Sequence, residues 1–496
     1  MKTYQIKTSA LTNLTPDERY FIYNGMDAAL TLEVFEKLSA EAPEYSKVPY
    51  QLELALQAPA VEMMLRGILV DKVALAELSY TLGNKKAKLE KQLNQLASAV
   101  WGAGLNPRSP AQLKKFFYQF WKLPKQYKFD KGVKKLSTDR AALEKLNVYQ
   151  EVRPFISHIN ATRDATKQLG VLRTPLQAGR MRSAFNIGGT ETGRWSSSGG
   201  AYGGGTNIQN ITKALRHLFR SDPGYKLAYI DLEQAESRMV GGLVYAATGD
   251  TSYIDACESG DLHTFVTKLI WPGLTWGDDD REIADQLFYL HYSYRDMAKR
   301  GGHGTNYYGK PPTMAKHLKV PVGLVEHFQS EYFKAFPGIP RWHKLVAQEL
   351  QTTGFLQTPF SRGRHFFGRL TDEATLRKAI AFLPQSSIAD YLNTGMLRVW
   401  KQFPEVQLLA QEHDAILVQY PKDLESELIP KIEQTLMFPV QFKDRELIIP
   451  VESCVGWNWG NHDKEANPNG LVKWRGCDAR EETIIEETPF LDRRIL

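Results

Sequence analysis

The feature that most constrains this chain is the stretch 225–240, where a strand pattern passes directly into a helix pattern. Leu227, Tyr229 and Ile230 are typical of a half-buried strand, and Asp231 follows them at once. Beyond Asp231, apolar residues recur at helical spacing among charged ones. A carboxylate at such a junction can hold a metal ion outside a sheet, although the same pattern also fits a strand that ends in a solvated acid.

A second stretch, 295–309, presents a basic face on a predicted helix. Arg295, Lys299, His303 and Tyr307 are each four residues apart, so they line one gently spiralling face. Two cations one turn apart suit a triphosphate, and a ring beyond them suits a base or a sugar. The alternative is a basic helix face with a buried histidine. Glycines are costly in a purely structural helix and favour close approach of the backbone to a substrate, and this stretch contains Gly301, Gly302 and Gly304.

A third stretch, 405–420, reads as a strand, a tight turn and a second strand, with His413 and Asp414 at the turn. Together the three stretches resemble motifs A, B and C of the family A DNA polymerases, the bacterial DNA polymerase I type, and they come in the same order. The resemblance runs from about residue 20 to about residue 460.

This resemblance implies an α+β fold of the right-hand polymerase kind, with an antiparallel-sheet palm, helical fingers and a helical thumb. The implied domain limits are 46–175 for the thumb, 176–240 and 376–460 for the palm, 241–375 for the fingers, and 461–496 for a C-terminal tail.

The resemblance also implies a metal-dependent site. Asp231 and Asp414 would hold two Mg²⁺ ions, which Mn²⁺ can replace, and Lys299 would be catalytic beside them. Glu236 would block a ribose 2′-hydroxyl and so select dNTPs over NTPs. The implied nucleotide-binding residues are Arg295, Lys299, His303, Tyr307, Gln234 and Glu236.

Several further segments resemble DNA-binding elements of the family, among them TGRWSS, NIQNI and TPFSRGR. Arg194, in the first of them, would reach the minor groove near the primer end, where acceptors are common to all base pairs. His413 would contact the primer terminus. The implied DNA-binding residues are Arg194, Gln209, Arg362, Arg364, Arg377, Gln385 and His413.

The chain departs from the usual family pattern at several positions. Ala415 and Ala381 stand where relatives carry Glu and Asn, and His303 replaces a Phe or Tyr, as in phage members with a His-Gly pair. One extra residue before the Tyr-Gly pair leaves open whether Tyr307 or Tyr308 takes the role of the family tyrosine.

Three local structures are also expected. Pro384 should break or kink its helix near Leu383. Arg216 and Arg220, four residues apart, should share a helical face. The tail from about residue 463 is expected to be frayed.

Near the N-terminus, Thr15 and Pro16 predict a helix start, and the helix places Tyr23 and Asp27 on one face. This pair resembles the Tyr-x-x-x-Asp signature that closes the 3′–5′ exonuclease domain of the family. Residues 1–45 are therefore interpreted as a remnant of that domain or a docking piece for a separate exonuclease subunit, with a solvated amphipathic helix as the alternative. One metal-binding carboxylate cannot make a two-metal nuclease site, so we expect no proofreading by this chain alone.

Composition indicates a globular protein with one basic groove, since the formal net charge is +6 and hydrophobic residues make up 43%. Three widely spaced cysteines give neither a disulfide framework nor a zinc pattern. We therefore expect a cytoplasmic location, in the host if a phage encodes the chain. No apolar run is long enough for a transmembrane segment, and no membrane partner is expected.

The sequence thus predicts a DNA-directed DNA polymerase that acts on primer–template DNA and dNTPs, with phage genome replication as its expected role. A translesion or repair polymerase of the same family is the first alternative. A single-subunit RNA polymerase is disfavoured because its motif A lacks a bulky acid at the position of Glu236. An inactive nucleic-acid-binding scaffold is disfavoured because both aspartates are present.

Overall fold

The computed structural model describes residues 14–130, 132–200, 204–277 and 279–475, which form two compact units. The sheet unit contains Leu56–Ala246, Tyr253–Leu262 and the chain from Ile388 onward. The helical unit contains Ala247–Ser252, His263–Ser387 and the described residues up to Ala55. No helix in the described part of the chain is long and apolar enough to cross a membrane.

A five-stranded antiparallel sheet, here called the central sheet, lies in the sheet unit. Its strands, in spatial order, are Gln407–Glu412, Ala415–Pro421, Tyr225–Leu232, Val451–Gly456 and Val472–Lys473. The middle strand buries residues of both faces, since the adjacent Leu227 and Ala228 are each 0% exposed. A continuous apolar run, rather than strict alternation, is typical of such a strand.

The sheet unit also contains a second core, formed by two long helices and the segment between them. The helix Lys72–Trp101 begins at Asp71, whose carboxylate accepts from the first-turn amides, and ends at the left-handed Gly102. It packs against Arg153–Leu172 around a cluster that includes Leu93, Leu113, Phe116, Phe117, Leu143, Val152 and Ile159.

The remaining elements of the sheet unit are short. Its other helices are Gln57–Arg66, Pro110–Lys114, Arg140–Lys145 and Glu425–Leu436. Its other strands are Ile68–Val70, Tyr127–Asp130, Val133–Leu136, Arg180–Met181, Ala184–Asn186, Ser196–Ser198, Phe219–Arg220, Val440–Phe442 and Arg445–Leu447.

The helical unit is built mainly from helices, with two small hairpins. Its helices are Pro16–Glu41, Glu44–Ala55, Asp280–Ala284, Tyr294–Asn306, Pro311–Leu318, Val322–Ala335 and Gly338–Thr353. Its strands are Leu287–Tyr289, Tyr292–Ser293, Phe355–Gln357 and Gly363–His365. Four helices include residues of both units, namely Ala235–Thr248, Ser252–Glu258, Leu262–Ile270 and Glu373–Gln402.

Of the local expectations, the break at Pro384 and the shared helical face of Arg216 and Arg220 are wrong, while a kink at Pro384 stays a prediction. The helix Glu373–Gln402 is not broken at Pro384, because it is packed on both sides of the proline, with Ile380 and Ile388 each 0% exposed. Burial of this kind outweighs the hydrogen bond that a proline removes. Arg216 and Arg220 share no helical face, since Arg216 lies in a 3₁₀ turn and Arg220 in a strand.

The segment after residue 460 also differs from expectation as far as residue 475. Val472–Lys473 pairs with Val451–Gly456, and the Trp474 amide donates to the Ser453 carbonyl at 2.9 Å. Asp463 caps a turn by accepting from the Ala466 amide at 2.8 Å. The rest of the predicted tail, after residue 475, lies outside the described residues.

The N-terminal helix Pro16–Glu41 begins as predicted, with a capping box formed by Thr15 and Glu18. None of the 26 residues of this helix, all within the described part of the chain, is buried. Tyr23 is 62% exposed, and Asp27 is also exposed.

Candidate active site

The register of the central sheet places the two motif aspartates on neighbouring strands. Asp231 is paired directly with Ala415, the residue that follows Asp414, and with Glu452 on its other side. The Leu232 amide donates to the Asp414 carbonyl at 3.1 Å, which ties the two chain segments together at this point. Asp231 is exposed and Asp414 is half-buried, so both carboxylates are accessible to a ligand.

Local hydrogen bonds fix the turn that carries Asp414. His413 adopts a left-handed backbone with φ of 52°, which is uncommon for a residue other than glycine. The Gln411 side chain donates to the His413 carbonyl at 3.0 Å, and Gln209 donates to the Gln411 side chain at 3.1 Å. Of the residues expected to bind DNA, Gln209 therefore contacts the turn, and His413 is exposed at its tip.

Arg194 joins the predicted sugar-selecting acid to the predicted metal ligand. Its Nη2 donates to Glu236 and lies 3.4 Å from the Asp414 carboxylate. Gln234 occupies the turn between strand and helix with φ of 52°, and its side chain donates to the Gly260 carbonyl at 3.2 Å. The helix starts at Ala235, later than the sequence pattern indicated, because Leu232 still belongs to the strand.

The donor set fits a hard divalent cation. Asp231 and Asp414 supply carboxylate oxygens, and burial raises the pKa of the nearby Cys454 thiol, which keeps that sulfur neutral. Among the described residues, no group of three or more His, Cys, Asp or Glu could hold a metal ion. Mg²⁺ is commonly bound in this way, by one or two carboxylates with waters and substrate phosphates at its other positions.

A buried charged cluster, which sequence reasoning missed, lies on the same face of the sheet. Glu412 accepts hydrogen bonds from Arg216 and, at 3.2 Å, from the Tyr229 hydroxyl. The Arg216 guanidinium lies 4.3 Å from the centre of the Trp459 ring. Burial and the neighbouring carboxylates of Glu412 and Asp231 raise the pKa of Tyr229 well above its usual range, so its hydroxyl remains a donor. The only sequence signal was an acid at the end of a strand, directly after Gln411.

In the helical unit, the predicted basic helix is present as Tyr294–Asn306, with Ser293 as its N-cap. Arg295, Lys299 and His303 lie on it, while Tyr307 is the first residue beyond its end. Lys299 and His303 are exposed. The centres of the His303 and Tyr307 rings are 4.6 Å apart, and the ring planes meet at 71°. The two rings therefore form a continuous aromatic surface.

Tyr308, the alternative to Tyr307, has a strained backbone with φ of 61°. Its ring meets the His343 ring edge-on at 5.3 Å, and the Lys310 ammonium lies 4.3 Å from its centre. The two tyrosines thus have different surroundings, since Tyr307 contacts His303 and Tyr308 contacts His343.

The end of the basic helix is held by a buried histidine that sequence reasoning also missed. His343 Nε2 donates to the Asn306 carbonyl at 2.9 Å, and burial lowers the pKa of His343 to about 4. Packing explains two of the glycines, because a Cβ at Gly301 or Gly304 would lie 2.7 Å from Phe328 or Met314. Substrate approach at these glycines stays a prediction.

The remaining residues expected to bind DNA also lie in the helical unit. Arg362 is mostly buried and donates to Glu53 at 2.7 Å, and the Arg364 guanidinium lies 4.6 Å from the centre of the Phe366 ring. Arg377 lies 3.7 Å from a carboxylate one turn earlier, and Gln385 is half-buried on the same helix. Their contact with DNA stays a prediction.

Comparison with known proteins identifies the family. Residues 72–461 match the model of DNA polymerase family A. The thermostable DNA polymerase I of Thermus aquaticus is 27% identical over 455 residues, which are 87% of this chain and 50% of that protein. DNA polymerase I of Mycobacterium tuberculosis is 27% identical over 415 residues, which are 79% of this chain and 43% of that protein.

A solved structure gives the same result. It is the POL domain of Pol1 from M. smegmatis in complex with DNA primer-template and dNTP, with a TM-score of 0.67 and 25% identity, covering 82% of this chain and 70% of that one. The chain belongs to DNA polymerase family A. The family resemblance and the α+β polymerase fold are therefore confirmed, and the chain spans about half the length of the curated relatives it matches.

Proposed function

We propose that this chain is a template-directed DNA polymerase that adds dNTPs to the 3′ end of a primer. The observation that carries the proposal is the register of the central sheet, which puts Asp231 beside the turn that carries Asp414. The named relatives are DNA polymerases, and the similar solved structure contains primer-template DNA and dNTP, which supports the proposal.

In the proposed reaction, Asp231 and Asp414 bind two Mg²⁺ ions, for which Mn²⁺ can substitute. Ions held there would supply Lewis-acid activation of the primer 3′-hydroxyl and would offset charge on the phosphates. Lys299 and Arg295 bind the triphosphate and stabilise the negative charge that develops during transfer. The protein thus contributes positioning and electrostatics rather than covalent chemistry.

Glu236 is the proposed sugar selector. Its carboxylate is held by Arg194 and is partly buried, so a ribose 2′-hydroxyl brought against it would meet an acid that cannot easily move aside. Gln234, His303 and Tyr307 complete the proposed nucleotide-binding set, the last two as an aromatic surface for the base or sugar.

The biological role is proposed to be phage genome replication, which rests on the His303-Gly304 pair alone. Translesion or repair synthesis is the competing role within the family. Primer extension on matched damaged and undamaged templates distinguishes the two, because a replicase is expected to stop at the lesion.

The test of the proposed function is extension of a 5′-labelled primer by the purified chain. We expect extension that requires template, dNTPs and Mg²⁺, and that stops in EDTA. DNA binding without extension in either Mg²⁺ or Mn²⁺ would identify a scaffold instead. Efficient extension with NTPs would favour an RNA polymerase.

We also propose that the exposed helix Pro16–Glu41 docks a separate exonuclease subunit. Its large apolar side chains are more exposed than those of a helix that covers a core, with Phe21 72% and Leu38 62% exposed. In that complex Asp27 would complete a metal site, so Asp27→Ala should stop primer degradation and leave synthesis intact. Robust degradation by the purified chain alone would contradict the proposal.

A further inference from the structure

The residue just before the turn of Asp414 is a buried acid whose position in the sheet suggests a role in the proposed active site. Glu412 ends its strand, is paired with Ala415, and Ala415 is paired in turn with Asp231. Directly paired residues of antiparallel strands point to the same face. One row across the sheet therefore reads Glu412, Ala415, Asp231 and Glu452.

The side chain of Glu412 is buried. Its side chain is 5% exposed and that of its partner Arg216 is 14% exposed. Tyr229, two residues before Asp231 on the same face, donates its hydroxyl to the second carboxylate oxygen. Such a pair contributes little net stability by itself, but loss of one partner leaves a buried charge uncompensated.

The turn needs support of this kind. The left-handed His413 separates Glu412 from Asp414, and residues in this conformation persist where the surrounding structure holds them. The Gln411 side chain and the Leu232 amide each hold one carbonyl of the turn. The Glu412–Arg216 pair holds the strand end from which the turn departs.

We propose that Glu412 is a positioning residue for Asp414, an inference that rests on the proposed function. Glu412 keeps the turn in the orientation that lets Asp414 share a divalent cation with Asp231. Ala415 is part of the same arrangement. An acid there would face Glu412 directly across the hairpin, and like charges in that relation are destabilising. Of the two paired positions 412 and 415, this chain thus has an acid at 412 and an alanine at 415.

The test compares wild type with Glu412→Gln, which keeps the size of the side chain, removes its charge and leaves one oxygen to accept where the carboxylate has two. Binding of Mn²⁺ to the complex with primer–template DNA is measured by electron paramagnetic resonance, beside kcat, the dNTP KM and the thermal unfolding midpoint. We expect Mn²⁺ affinity and kcat to fall by about 10- to 100-fold, as for other groups that orient metal ligands. The dNTP KM and the DNA affinity should stay within about twofold, since Glu412 contacts neither in the proposal.

A second comparison tests whether the side chains at positions 412 and 415 interact. Ala415→Glu in the wild type should lower the unfolding midpoint, while the same change in the Glu412→Gln background should lower it less and restore part of the Mn²⁺ affinity. If Glu412→Gln does not fold, Tyr229→Phe replaces it, because it removes only the hydroxyl that donates to Glu412.

Two results would overturn the inference. One is wild-type Mn²⁺ affinity and kcat in Glu412→Gln, even if its unfolding midpoint is lower, since the acid would then have a purely structural role. The other is an equal effect of Ala415→Glu in both backgrounds. Failure of the wild type to extend a primer would instead count against the proposed function, because the unfolding comparison does not depend on activity.

Discussion

At the scale of single residues, the site is defined by charges that face one another. Arg194 lies against both Glu236 and Asp414, so three charged groups predicted for different tasks form one ion-pair set. Resemblance assigned each of these residues a separate role. It could not predict the ion pairs, because they depend on side chains brought together from distant parts of the sequence.

The first prediction concerns sugar selection by Glu236. Glu236→Ala should raise ribonucleotide incorporation relative to dNTP incorporation, since the acid that would oppose a 2′-hydroxyl is gone. Competition between dNTP and NTP in single-nucleotide extension measures the change. Glu233→Ala is the matched control, an acid on the same strand-to-helix turn, and should leave the ratio unchanged. An unchanged ratio in Glu236→Ala would place the selector elsewhere.

At the scale of elements, the basic helix Tyr294–Asn306 was well predicted and its surroundings were not. Regular spacing of Arg295, Lys299 and His303 identified the helix, since a period of 3.6 residues is a local property. Helix packing is not local, so the sequence could not indicate that Gly301 contacts Phe328 or that His343 holds the helix end.

The second prediction concerns the cations of this helix. Lys299→Ala and Arg295→Ala should raise the dNTP KM and lower kcat, with DNA affinity and its salt dependence unchanged, because these groups are assigned to the triphosphate. Arg300→Ala is the control. Arg300 is a neighbouring cation that is not assigned to the triphosphate, and its guanidinium lies 5.2 Å from the centre of the Tyr292 ring. Lost DNA affinity with a normal dNTP KM would contradict the assignment.

The third prediction uses the buried His343. Because its folded pKa, about 4, lies below the unfolded value near 6.5, the unfolded state binds more protons between these values. His343 therefore contributes stability that is present above pH 6.5 and is lost as the pH falls toward 4, by up to about 3 kcal/mol.

The measurement is the unfolding midpoint of wild type and His343→Gln between pH 4.5 and 7.5. The variant should be less sensitive to acid than wild type, because its amide can still donate to the Asn306 carbonyl but does not titrate in this range. Equal acid sensitivity of the two proteins would show that His343 is not the group responsible.

At the scale of the whole molecule, the family and the fold were predicted mainly from the three motifs and their order in the sequence. The strand-to-helix junction after Asp231 and the hairpin around Asp414 are local patterns, and the sheet register places them side by side. Residues 461–475 were misjudged because Val472–Lys473 is short and exposed, and only its pairing with Val451–Gly456 makes it a strand. The domain limits stay predictions.

The central claim is that Asp231 and Asp414 together support metal-dependent DNA synthesis. The most direct test is primer extension by Asp231→Asn and Asp414→Asn at matched DNA occupancy. Glu452→Gln is the control, because Glu452 is an acid paired with Asp231 in the sheet that accepts a hydrogen bond from Lys473 at 2.6 Å. We predict that each aspartate variant binds primer–template DNA like wild type and loses extension, while the control retains it. Extension by either aspartate variant within about tenfold of wild type would contradict the claim, since loss of one carboxylate must cost far more than that if both hold the metal.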